Sequence, residues 1–387
     1  TMRENVYRQL SEAQQAAEAE DMATAKRIIQ DLREDSNLTS YERAQVFNFL
    51  GYIHYSEGNY SAAINAYEQV IAQPDIPEGM QTQILYSIAQ LSFAEENYAK
   101  AEEYLQRWMQ IVPNPKADAY MLLGQTRYAR EDYEGALQPI ERGIALAREA
   151  GEEVKEQWLL LLRAIYYEMN NFRKVAEILE ELILKYPNKS YWIQLSGIYG
   201  ELEQPQKRLI TLELAYKQGM LDKEQEYLNL AQLLMQQDMP YRGATILAEG
   251  FERGIIARET KNLRLLAQAY MLAQEEDKAI PPLKAAAESS SDGELYLQLA
   301  NAYMNQGMDA ESEQAAEQAL AKNTDRAGDA WFLIGMARFN QDKLTGAQEA
   351  FRNASRDDGN ERAARQWLSY IEKEKERRDQ LAAALDS

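Results

Sequence analysis

The side chains that most often perform chemistry are scarce in this sequence. It has one histidine, His54, and no cysteine. Without Cys or a second His, an ordinary zinc site has no ligand set, and His54 falls at a position that packs between helices instead of beside a nucleophile. The acidic pairs Glu95-Glu96, Glu152-Glu153 and Asp357-Asp358 read as solvated charges, because no 12-residue calcium loop surrounds them. No glycine-rich phosphate loop of either common type occurs. The sequence therefore predicts no catalytic residue, no metal ligand and no cofactor. What recurs instead is side-chain amides and large apolar groups at near-constant spacing: Gln90 and Gln125, Gln232 and Gln268, and Tyr55, Phe93, Tyr128 and Tyr167. An amide carries donors and acceptors and can pair with a peptide backbone without reading charge. Aromatic rings supply contact area.

Composition narrows the partners. Lys and Arg total 42, Asp and Glu total 62, and the net charge is 42 − 62 = −20. So acidic a surface repels phosphate backbones and anionic headgroups, which argues against nucleic acid and membrane surfaces. The longest near-apolar run, "WLLLLRAIYYEM" from Trp158 to Met169, is short and broken by Arg163, so no direct membrane insertion is expected.

The elements that must position these residues repeat. "GYIHYSEGNYSAAINAYEQVIAQP" (Gly51 to Pro74), "SIAQLSFAEENYAKAEEYLQRWMQIVP" from Ser87 and "LLGQTRYAREDYEGALQPIERGI" from Leu122 share one grammar. With Phe47 at position 4 of a unit, position 7 is Leu50, Ile88, Leu123, Leu162, Leu195, Leu230, Leu266, Leu299 and Ile334. Position 8 is usually small, as at Gly51, Ala89, Gly124, Ser196, Ala231, Ala267, Ala300 and Gly335, but it is Arg163 in one unit. Position 20 is also mostly small, as at Ala63, Ala101, Ala136 and Ala279. Positions 4, 7, 8 and 11 form one helical stripe, and small residues at 8 and 20 let two helices approach closely. Turn residues separate the helices in "EGNY", "EENY", "REDY" and "MNNF", and Pro74, Pro113 and Pro187 end second helices. This is the tetratricopeptide pattern, a helix–turn–helix of about 34 residues. It predicts an all-α, tetratricopeptide-type α-solenoid, a right-handed superhelix of about ten repeats with a C-terminal capping helix.

The expected divisions are an N-terminal array over 1–200, whose first repeat is degenerate, a C-terminal array over 201–359, and a capping helix and tail over 360–387. Pro205 and Pro240 in the turns, and Arg208 at a usually small position, predict a bend near 201–243, either within one continuous solenoid or between two lobes.

In such a stack the first helices line the inner surface, and positions 2, 5, 9 and 12 form the stripe opposite the core. Position 9 supplies Tyr52, Gln90, Gln125, Gln232, Gln268 and Asn301, a row of mostly amides. Position 12 supplies Tyr55, Phe93, Tyr128 and Tyr167, then Met235, Met271 and Met304, an aromatic half and a methionine half. These are the candidate partner-binding residues, against the alternative that they pack within the solenoid. Co-chaperone tetratricopeptide domains hold acidic peptide ends with Lys and Asn at fixed first-helix positions. Here only Arg264, near Lys261, fits a carboxylate at position 5, so heat-shock chaperone binding of that kind is not expected.

Several segments go beyond the generic repeat: "EQWLLLLRAIYYEMNNF" (156–172), "YPNKSYWIQLSGIYGELEQPQKRLITLELAYKQGML" (186–221), "PYRGATILAEGFERGII" (240–256), "KNLRLLAQAYMLAQEEDKAIPPL" (261–283), "DGELYLQLANAYMN" (292–305) and "AARQWLSYIEKE" (363–374). Over essentially the whole chain these resemble periplasmic tetratricopeptide proteins that accompany TonB, ExbB and ExbD in gammaproteobacteria. The resemblance implies a non-catalytic scaffold supporting energy-coupled uptake, typically of iron siderophores. It also implies a periplasmic location, with a leader removed ahead of the polar start at Thr1-Met2. The alternative is a generic tetratricopeptide adaptor or assembly chaperone, cytosolic or envelope-associated. The sequence does not fix an oligomeric state.

Overall fold

The computed structural model describes residues 2–385, and among them all regular secondary structure is helical. The fold is an all-α solenoid of tetratricopeptide type. Backbone contacts divide the chain into two compact units, Thr1–Leu202 and Glu203–Ser387. Residue 1 and the last two residues of the segment expected to be a cap and tail, 386 and 387, lie outside the described residues.

The first unit holds α1 (Glu4–Glu18), α2 (Met22–Glu34), α3 (Ser40–Ser56), α4 (Tyr60–Ile71), α5 (Glu78–Ala94), α6 (Tyr98–Ile111), α7 (Ala117–Ala129), α8 (Tyr133–Glu149), α9 (Glu156–Glu168), α10 (Phe172–Lys185) and α11 (Lys189–Glu201). From α1 with α2 to α9 with α10, consecutive helices pair as hairpins, and each second helix also packs on the first helix that follows. The second unit holds α12 (Pro205–Lys217), α13 (Glu224–Gln236), α14 (Pro240–Glu252), α15 (Thr260–Leu272), α16 (Glu276–Glu288), α17 (Gly293–Asn305), α18 (Asp309–Ala321), α19 (Ala327–Asn340), α20 (Leu344–Ala354) and α21 (Glu361–Leu385). Its helices pair in the same way from α13 with α14 to α19 with α20, and α21 packs on α20.

That double packing corrects the core expected from sequence. A first helix is pressed by its own second helix and by the preceding one, so its apolar surface is wider than one stripe. Position 10 is buried as well, at Ile53, Leu91, Ile165, Ile198 and Leu233, and position 5 joins the core at Met121, Leu228 and Leu297. Where position 5 is buried, the open strip narrows to positions 2 and 9, with position 12 at its edge.

Hairpin turns in the first unit follow one recipe. In the α3–α4 turn, Gly58 takes φ 74°, and the N–H groups of Gly58 and Asn59 donate to the carbonyls of Tyr55 and His54 at 2.9 Å. The Asn59 side chain then accepts from the Ala62 N–H and caps α4. Asn97, Asp132 and Asn171 repeat both roles in later turns. Each satisfies backbone groups that a helix end leaves unpaired.

Pro205 and Pro240 do not sit in the turns as the sequence suggested. They are the first residues of α12 and α14. There the missing N–H is not needed and the fixed φ already suits a helix. Pro139 lies inside α8, and the Gly135 carbonyl one turn earlier accepts from Arg127 Nη1 at 2.9 Å instead.

Among the ion pairs that tie down the polar first hairpin, the most buried joins Arg3 to Glu42. Arg3 donates to both carboxylate oxygens of the fully buried Glu42, with Nη2 to Oε2 at 2.9 Å and Nε to Oε1 at 3.0 Å. The Thr39 N–H adds a contact at 2.9 Å. Together these hold the Glu42 carboxyl at about 2, well below its ordinary 4.5, despite burial. At the other end, α21 lays Ala364 and Ile371 into the core, and Trp367 stacks on Phe351 with ring centres 5.6 Å apart.

Candidate functional site

The candidate residues fall at two depths. Tyr52, Tyr55, Gln90, Tyr167, Gln232, Arg264, Gln268, Met271 and Asn301 are exposed, whereas Phe93, Gln125, Tyr128, Met235 and Met304 are half-buried. The structure thus separates position 9, which mostly faces out, from position 12, which is partly occupied by packing.

The packing at position 12 has a specific partner that sequence reasoning missed. Each aromatic meets the first aromatic of its own second helix: Tyr55 with Tyr60, Phe93 with Tyr98, Tyr128 with Tyr133 and Tyr167 with Phe172, with ring centres 5.5–5.9 Å apart. The signal was present as an aromatic directly after each capping Asn or Asp. Offset and edge-on contacts of this kind fix the rings, so the row is preorganised. In the second unit Met235 lies over Gly243 of its own hairpin, where a Cβ would come 3.0 Å from Met235 Cγ. Met304 packs against the core.

The amides behave differently. Among the described residues, the side chains of Gln90, Gln125, Gln232 and Gln268 have no hydrogen-bond partner within the chain. Other helix amides are mixed: Gln106 pairs with Glu102 at 3.1 Å and Gln225 with Asn229 at 2.8 Å, whereas the exposed Gln110, Gln157 and Gln298 make no side-chain bond among the described residues. Asn301 is the exception within the row, since its Nδ2 donates to the Leu297 carbonyl at 3.0 Å.

Two equivalent slots open beside this row in the first unit. One, of about 420 Å³, is lined by Tyr55, Tyr60, Tyr67, Ser87, Gln90, Leu91 and Ala94. Burial pushes the Tyr67 hydroxyl above its usual pKa, so it stays a neutral donor. The other, of about 550 Å³, is lined by the matching positions three hairpins on, including Tyr167, Val175, Leu179, Gln194, Gly197 and Ile198, together with Tyr128, Arg163, Ala164, Glu168 and Glu201. Gly197 here takes the place of Gln90, and a Cβ built on it would meet open space.

His54 is half-buried, and its Nδ1 lies 3.9 Å from a Glu57 carboxylate oxygen, beyond hydrogen-bond reach. No group of His, Asp and Glu among the described residues is arranged to hold a metal ion. Glu95 accepts from Ser61 Oγ at 2.7 Å, and Asp357 takes the Asn360 Nδ2 at 3.2 Å at the start of α21. Both carboxylates thus serve local structure.

The family model described as tetratricopeptide repeat matches residues 10–79, 49–114 and 297–361. No curated protein matches the chain. Among solved structures, a tetratricopeptide repeat protein from Parabacteroides merdae ATCC 43184 is 13% identical, covering 70% of this chain and 98% of its own, with a TM-score of 0.40. The TPR2AB-domain:pHSP90 complex of yeast Sti1 is 13% identical, covering 70% and 99%, with a TM-score of 0.39. YrrB, described as a TPR protein with an unusual peptide-binding site, is 14% identical, covering 48% and 94%, with a TM-score of 0.39.

Proposed function

We propose that this solenoid of tetratricopeptide type is a non-catalytic scaffold that binds extended partner segments along the row of first-helix positions 9 and 12 within each of its two units. The observation that carries the reading is the unpaired amide row. Gln90 and Gln125 in the first unit, and Gln232 and Gln268 in the second, hold free donors and acceptors at the same position of successive hairpins. A peptide backbone offers complementary groups along its length. The preorganised aromatics of the first unit and the adaptable Met271 of the second supply apolar contact beside it.

Within that reading, the partner is a component of a TonB, ExbB and ExbD system, and the protein works in the periplasm in support of siderophore uptake. The support for this finer assignment is the sequence resemblance over segments such as 186–221 and 363–374.

The test is co-purification from native cells of the chain expressed with its natural leader, beside a variant in which Gln90, Gln125, Gln232 and Gln268 are all Ala. Enrichment of TonB, ExbB, ExbD or an associated receptor, lost in the variant at unchanged melting temperature, is expected. Retention of the partner by the variant would remove the amide row from the site. Enrichment of only soluble cytosolic proteins would overturn the envelope assignment.

A further inference from the structure

The larger slot of the first unit departs from the repeat in three ways that belong together. Position 8 is small in the other repeats, yet here it is Arg163. Position 9 carries a side-chain amide in most repeats, yet α9 has Ala164 and α11 has Gly197, and both line the slot. The result is a cavity of about 550 Å³ with a guanidinium in its wall and no side chain at position 9 of α11 to fill it.

Arg163 is half-buried and reaches across to the Gln194 side-chain oxygen, which accepts from its Nη1. Among the described residues no carboxylate lies within ion-pair distance of it. The structural arginines of the same unit differ: Arg3 is bridged to Glu42 at 2.9 Å and Arg127 to Glu102 at 2.9 Å. A guanidinium has five donors in a planar fork that matches a carboxylate, and one amide oxygen leaves most of them unused. Glu168 and Glu201 also line the slot, and neither forms an ion pair among the described residues. The exposed Tyr167 ring lies next to Glu168 in sequence, and an aromatic face beside a carboxylate suits a cation.

We infer that this slot takes the carboxylate of an Asp or Glu side chain from an extended partner segment in which basic residues flank that acid. The acid pairs with Arg163, and the flanking cations meet Glu168 and Glu201. This rests on the proposed reading of the position 9 and 12 row as the partner site. Because the slot is open along the row, a passing side chain fits it better than a chain end. In an extended strand alternate residues share a face, so the probe is an N-acetylated, C-amidated peptide containing Lys-Ala-Glu-Ala-Lys.

Calorimetry with the full chain compares that peptide with one in which Gln replaces Glu. The Glu peptide is expected to bind about tenfold tighter, the size of a charge-assisted pair. Arg163→Gln abolishes the difference, while Gly197→Gln, whose Cβ meets open space, weakens both peptides by filling the slot. Equal binding of the two peptides, binding of neither at millimolar concentration, or a preference that survives Arg163→Gln would overturn the inference. The broader reading is judged separately. A native partner that is still lost in the four-Gln variant keeps the row as the site even if this slot fails, and a partner that the variant retains removes the row.

Discussion

The two units build the same hairpin by different means. In the first unit, α4, α6, α8 and α10 begin at Asn59, Asn97, Asp132 and Asn171, whose side chains cap the helix. In the second, α12, α14, α16, α18 and α20 begin at Gln204, Met239, Glu275, Met308 and Lys343, none of which makes a side-chain cap bond. Aromatic pairs brace position 12 in the first unit, whereas Met235, Met271 and Met304 stand there in the second. The outer ends differ too, with a buried ion pair at Arg3 and Glu42 and an aromatic stack at Trp367. The backbone turn is common to both, so the repeat fixes the path of the chain and leaves each unit free in how firmly its row is held. The first unit presents fixed rings, whereas in the second the exposed Met271 can adapt and Phe339, at the same position of α19, is held against Trp367.

The largest effects are expected at those outer ends, where they separate in pH. Arg3→Ala leaves a buried carboxylate without its partner and should cost about 3–5 kcal/mol at neutral pH. Trp367→Ala should cost about 3 kcal/mol. Glu42 has a folded pKa of about 2 against an ordinary 4.5. A lowered carboxyl pKa stabilises the fold above the unfolded value and loses that contribution as pH falls through the folded one. The gap between wild type and Arg3→Ala should therefore be largest near neutral pH and shrink as the pH falls toward 2, while the Trp367→Ala gap follows no such course. Urea denaturation across that range measures both. A pH-independent Arg3→Ala gap would mean that the pair does not hold the first hairpin.

The caps give a smaller and more direct comparison. Asn97→Ala removes the side-chain acceptor at the start of α6 and should cost about 1 kcal/mol. Glu275→Ala, at the matching position before α16, removes no cap bond and should change stability by less than about 0.5 kcal/mol. Native-state hydrogen exchange can assign each change to its own hairpin. Equal losses at the two sites would erase the distinction between the units.

Much of the fold was legible because its constraints are local and repeated. Leu or Ile at position 7, small residues at 8 and 20 and turn residues between helices needed no long-range information. The exposure of position 9 followed from helical geometry alone. The width of the core did not, because position 10, and position 5 in some units, are buried where each first helix packs against two neighbouring helices, which a single amphipathic stripe does not show. The Arg3–Glu42 pair joins residues far apart in sequence and leaves no periodic trace. The larger slot was half-legible: Arg163 at a small position was visible in the pattern. Its meaning depended on Gly197 opening onto the same cavity and on the lack of a carboxylate beside it among the described residues.

The smallest effect tests what the units share. Non-glycine residues occupy the left-handed turn position in both, with Glu96 at φ 60° and Gln274 at φ 60°, where Gly58 and Gly307 have φ 74° and 69°. A side chain there costs about 1–2 kcal/mol, and glycine gives back part of that gain through its greater freedom in the unfolded chain, about 0.5–1 kcal/mol. Glu96→Gly and Gln274→Gly should each stabilise by roughly 0.5 kcal/mol, the difference of those two contributions. Capping does not enter, because neither side chain caps a helix. If thermal unfolding shows the same small rise for both, the turn is one backbone solution used by both units, and their difference lies in the side chains around it. A rise at Glu96 with a loss at Gln274 would show that the second unit's turn depends on its glutamine, and the contrast between the units would then extend to the backbone.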